Sequence, residues 1–91
     1  MTVFELENYL DNTYNLNEQK TLRKTVKTYK NNNISVSLSM YQDEKTEYFV
    51  EVSNEHELKN FHGYAFTDYS PIYEYVLYLD RKGKLEKVIA A

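Results

Sequence analysis

Apolar and polar positions alternate with two different periods along this chain, and the periods mark out its elements. Ile34, Val36, Leu38 and Met40 alternate with Ser35, Ser37 and Ser39, a strand that is apolar on one side and small and polar on the other. After a polar connection over 42–46, Tyr48, Val50 and Val52 alternate with Glu47, Phe49, Glu51 and Ser53, which makes the second strand of a hairpin with Glu47 and Glu51 on its outer face. Near the start the spacing is helical. Val3, Leu6, Tyr9 and Leu10 share one face, and Thr2 followed by Glu5 three residues later has the spacing of a capping box. A first helix is expected over about 2–12.

Two further stretches complete the reading. In 18–30, Leu22, Val26 and Tyr29 recur at i, i+4 and i+7, which predicts a second helix capped by Asn17 and ended by Asn31, Asn32 and Asn33. The threonines at 21, 25 and 28 also suit a strand. In 72–79, Tyr73, Tyr75, Leu77 and Leu79 alternate with Ile72, Glu74, Val76 and Tyr78. The alternation predicts a central strand, with Asp80 to Lys84 as a turn, Gly83 at positive φ, and Leu85 to Ile89 as the return strand. Between them, 54–60 reads as an acidic turn and 61–66 as a short strand bent at Gly63. The expectation is one α+β domain over 1–91, with two N-terminal helices packed on a four- or five-stranded antiparallel sheet.

Composition narrows the class. At 42% hydrophobic and 15% aromatic residues the chain can bury a single modest core. It has no cysteine, so it has no disulfide framework and no thiolate metal site, as expected of a cytoplasmic protein. No apolar run nears the roughly 20 residues of a membrane span, and 1–10 lacks the basic-then-apolar order of a signal peptide. Net charge is −3, against simple affinity for nucleic acid. The charges come in blocks. Glu5, Glu7, Asp11 and Glu18 occupy the first 19 residues without a base. Lys20, Arg23, Lys24, Lys27 and Lys30 follow without an acid. Asp43, Glu44, Glu47, Glu51, Glu55 and Glu57 then oppose Lys45 alone. Each block is either a solvated face or a surface presented to a partner of opposite charge.

Candidate chemistry is sparse. His56 and His62 are the two histidines and have no cysteine companions, a poor zinc set. No nucleophile motif or glycine-rich phosphate loop is present. The expectation is a protein that is not an enzyme and uses no cofactor or metal. Most of the ten tyrosines should be core with a hydroxyl reaching the surface, and exposed ones would make a good protein-binding surface, since tyrosine contributes large area at low entropic cost.

Two segments carry a family resemblance: Met1-Thr2 with 9–16 (Tyr-Leu-Asp-Asn-Thr-Tyr-Asn-Leu), and Tyr64 to Ile89, above all 69–79. On these the chain resembles the small uracil-DNA glycosylase inhibitors of phages and staphylococcal mobile elements. The resemblance implies a stoichiometric inhibitor of a host uracil-DNA glycosylase acting by DNA mimicry, with no direct nucleic-acid or membrane binding. Such inhibitors set acids where phosphates would lie and enclose the leucine that the enzyme inserts into DNA. Glu18 matches the family's acidic contact after helix one. Asp43, Glu44, Glu47 and Glu51 would supply the remaining charge, because the segment after Glu18 is basic here and acidic in the family. Leu22, Val26, Val36, Leu38, Met40, Val50 and Val76 would line the leucine pocket, or else fill an ordinary core. Two other readings stay open: an inhibitor of a CRISPR nuclease or restriction enzyme, and a nucleic-acid-binding module using the bases of 20–30.

Overall fold

The computed structural model describes residues 1–42 and 45–90, with side chains through Leu85. Helix α1 (Val3–Thr13) leads into five strands, β1 (Asn15–Lys20), β2 (Lys24–Lys30), β3 (Ser35–Gln42), β4 (Thr46–Ser53) and β5 (Leu58–Tyr64), and helix α2 (Ser70–Ala90) closes the chain. The strands form one antiparallel meander in sequence order. The protein is therefore α+β with two helices on a five-stranded antiparallel sheet, but one helix precedes the sheet and the other follows it.

Where a single period ran through the sequence, the expected element formed. The α1 capping box is complete: the Glu5 backbone N–H donates to Thr2 Oγ1 at 3.1 Å, and the Thr2 N–H donates to Glu5 Oε1 at 3.2 Å. Thr2→Ala should therefore cost about 1 kcal/mol and lower the melting temperature by about 4–8 °C, read by thermal denaturation. The β3–β4 hairpin pairs Val36 with Val52, Leu38 with Val50 and Met40 with Tyr48, all toward the helices. Asparagines close the flanking hairpins. Asn31 Oδ1 accepts from the Asn33 N–H at 2.9 Å, and Asn54 Oδ1 from the His56 N–H at 2.9 Å, each an Asx turn.

Two stretches went the other way. Residues 18–30 are not a helix but the β1–β2 hairpin, with Glu18 opposite Lys27 and Lys20 opposite Thr25. A helix there would have set Lys20 against Lys24 and Arg23 against Lys27 at i, i+4, and each like-charge pair costs a few tenths of a kcal/mol. The hairpin places Lys27 and Lys24 on opposite faces instead. Residues 72–89 are not a hairpin but lie within α2. Tyr69, Ile72, Val76 and Leu79 are buried at helical spacing, Pro71 stands in the first turn where its missing N–H is harmless, and Gly83 is helical. Lys84 Nζ lies 3.0 Å from Asp80, an i, i+4 pair across the supposed turn. Of the expected 61–66 strand, 61–64 form the second half of β5 and 65–66 are turn, while 58–60, expected as turn, are its first half. Gly63 is needed there because a Cβ would sit 3.0 Å from the Thr67 side chain, whose Oγ1 accepts from the Tyr64 N–H.

Both helices cover the same sheet face. Val3, Leu6 and Leu10 of α1 and Ile72, Val76 and Leu79 of α2 bury against Tyr29, Val36, Leu38, Val50 and Val52. The Tyr9 ring meets Tyr73 edge-on at 4.9 Å, joining the helices. The start of α2 is tied back to the chain's beginning. The Tyr69 N–H donates to the Met1 carbonyl at 2.8 Å, and Asp68 accepts from the Ser70 N–H at 3.0 Å and from the Met1 ammonium at 2.9 Å. These donors hold the Asp68 carboxyl well below the usual carboxylate range.

Candidate functional site: a cleft between the first helix and the sheet

Alternation along β1, β2 and β3 sends Glu18, Lys20, Thr25, Lys27, Leu38 and Met40 to the helix side of the sheet. The first turns of α1 stand above them but do not seal them in. The gap is a cleft of about 230 Å³ floored by Leu38, Met40 and Tyr48, walled by Phe4 and Glu7 of α1, and rimmed by Glu18, Lys20, Lys27 and Gln42. Phe4 lies at the mouth, 65% exposed, off the buried stripe of its own helix. An aromatic in that position is surface the fold does not use.

Charge at the cleft is mixed. Lys27 Nζ lies 3.7 Å from Glu7, and Glu18 faces Lys27 across the β1–β2 ladder. Partial burial raises the Glu7 carboxyl above its ordinary value, and the neighbouring lysine offsets part of that rise. The arrangement can accept an apolar side chain on its floor while offering both signs of charge to polar groups around it. Among the described residues, no group of three or more His, Cys, Asp or Glu side chains is placed to hold a metal ion, and no helix is long and apolar enough to cross a membrane.

Of the acidic and apolar residues singled out from sequence, the cleft unites Glu18, Leu38 and Met40. The others lie elsewhere. Leu22 sits in the β1–β2 turn, 93% exposed. Val26 points to the opposite face, in register with Ser39 and Phe49. Val36, Val50 and Val76 are buried in the core and do not line the cleft. Glu47 and Glu51 stand on the face away from the helices, where Glu47 Oε2 lies 3.0 Å from His62 Nε2. Asp43 and Glu44 lie outside the described residues. The acids that are described are thus divided between two faces and do not form one edge. The basic segment is divided as well, with Lys27 engaged by Glu7 in the cleft and Lys24 over the Tyr41 ring at 5.0 Å on the other side. Sequence reasoning missed Phe4, Glu7 and Tyr48 at the cleft. The available signal was Phe4 itself, one position out of phase with Val3, Leu6 and Leu10.

No family model matches this chain, and no curated protein or solved structure shows significant similarity to it.

Proposed function

We propose that the protein is a non-catalytic binding domain that blocks a host DNA-handling enzyme one-to-one, with uracil-DNA glycosylase the first target. The observation that carries this reading is the cleft, in which Glu18 stands beside a floor of partly buried Met40 with buried Leu38 beneath it. A partner's protruding leucine seated there would gain roughly 1.5–3 kcal/mol from burial, and Glu18 would meet a basic group at the rim of that leucine's loop. The resembling residues 1–2 and 9–16 lie on α1 and its flanks, but the wall that α1 gives the cleft is Phe4 and Glu7, outside them. The other resembling segment, 69–79, is helical here, so the proposal rests on the cleft and not on that segment.

Purified protein should abolish uracil excision near equimolar ratio. Met40→Arg, which fills and charges the floor, should weaken inhibition by about 2 kcal/mol, or roughly thirtyfold. Glu18→Lys should slow association more than it speeds release, because a rim charge acts mainly on encounter. Full excision at large excess of protein removes the glycosylase as target, and the same two variants then score inhibition of a CRISPR nuclease or restriction enzyme. Inhibition of any of these enzymes that is indifferent to both variants places the contact outside the cleft.

A further inference from the structure

The face of the sheet turned away from the helices is uncovered among the described residues, and its side chains are sorted by strand. On β2 it carries Lys24, Val26, Thr28 and Lys30; on β3, three serines and Tyr41; on β4, Glu47, Phe49 and Glu51. Its apolar part is a run of rings. Tyr41 meets Phe49 edge-on at 5.5 Å, Phe49 stacks on His62 at 4.6 Å, His62 meets Tyr64 at 5.3 Å, and Tyr64 stacks on Phe66 at 5.5 Å. Phe66 is 85% exposed. A patch of this size on open strands marks an interaction surface.

We propose that this face is the interface of a two-fold symmetric dimer, with β3 of one copy lying over β3 of the second. Charge complementarity selects this occupant. The face is basic on one side of β3 and acidic on the other, so a two-fold axis running along β3 lays each side on its opposite. Lys24, Tyr41 and Glu47 lie in one row across the sheet, and the rotation sets Lys24 of each copy over Glu47 of the other. The next row is Val26, Ser39 and Phe49, and the rotation sets Val26 over Phe49. Thr28, Ser37 and Glu51 form the third row, which brings Thr28 to Glu51. On the axis the small serines let the backbones approach, and Ser37, Ser39, Phe49 and Glu51 already border a hollow of about 230 Å³ that Val26 of the second copy would enter. A single-stranded nucleic acid would also stack on the rings, but Glu47 and Glu51 stand among them and repel a polyanion.

Area agrees with a reversible dimer. Five strands about 4.8 Å apart and about seven residues long present roughly 500 Å². Two such faces bury about 1,000 Å², the lower end for a specific interface. The prediction is a monomer–dimer equilibrium in sedimentation velocity of the full chain over a wide concentration range. Lys24→Glu should raise the dissociation constant at least about tenfold, because it sets like charges together twice. The swap Lys24→Glu with Glu47→Lys in one chain should restore dimerisation to within about threefold of the original. Ser37→Arg, which places a cation against its own copy on the axis, should leave a monomer with an unchanged circular dichroism spectrum. A chain that stays monomeric at every concentration overturns the proposal. So does a dimer indifferent to Lys24→Glu, a swap that fails to rescue, or a monomer that retards single-stranded DNA in a low-salt gel shift.

Discussion

Raising the pH from about 10 to about 12 should unfold the protein. Tyr14, Tyr29, Tyr48 and Tyr69 are all buried, and burial pushes each phenol up from the ordinary value near 10. Tyr69 is pushed up to about 12, and Tyr14 and Tyr29 higher. Neutral tyrosine is the form the core accepts. These groups therefore contribute stability that is fully present below the unfolded-state value. It is lost as pH rises through the folded-state values, because the unfolded chain releases its protons first. At about 1.4 kcal/mol per pH unit, Tyr69 by itself withdraws on the order of 3 kcal/mol, and the net stability of a domain is only about 5–15 kcal/mol. Phenolate absorbance should resolve two classes among the ten tyrosines. The late class should ionise together with the loss of circular dichroism. Simultaneous ionisation of all ten near the ordinary value, with the fold intact, would show that the tyrosine core does not exist. Tyr69→Phe should remove part of the alkaline sensitivity and, at neutral pH, lose only the hydrogen bond that Tyr69 donates to the Tyr64 carbonyl at 2.8 Å.

The second large effect belongs to α2. Val76→Pro should cost about 3 kcal/mol or more, since it removes an interior hydrogen bond and drives the ring into the preceding turn. Leu79→Ala should cost about 2–5 kcal/mol by leaving a cavity under the helix. Gly83→Ala separates helix from hairpin by sign. In the helix a Cβ at Gly83 meets Asn33 Nδ2 at 3.5 Å, an ordinary contact, so alanine should stabilise by about 0.5–1 kcal/mol. In a turn that needed positive φ at this position, alanine would destabilise instead. Urea denaturation of the three variants measures all of these. A destabilised Gly83→Ala would contradict the helical assignment.

What could be read from the residues divides cleanly. The α1 start was legible because capping and periodicity agreed, and the β3–β4 hairpin because two strictly alternating runs flank one polar connection. Residues 18–30 and 72–89 were not: in the first, Leu22, Val26 and Tyr29 keep helical spacing while the threonines suit a strand, and in the second the apolar residues fit either period. Val76 and Leu79 serve a strand as well as a helix, and Tyr73, Tyr75 and Tyr78 are strand formers whose local preference packing overrode. Burial of Tyr69, Ile72, Val76 and Leu79 together requires the helical turn, and that gain exceeds the propensity cost, which is at most about 1 kcal/mol per residue. At the cleft, Glu18, Leu38 and Met40 were in view, but Phe4 and Glu7 join them only through the way α1 lies across β2 and β3.

By itself the sequence determined an α+β class, one capped helix, one well-registered hairpin and a tyrosine-rich core without cysteine. Only the tertiary structure decided which face each charge occupies and that the second helix comes last. A two-residue period specifies alternation but not cover. Which side meets water was settled when the helices took one face of the sheet and left the other open.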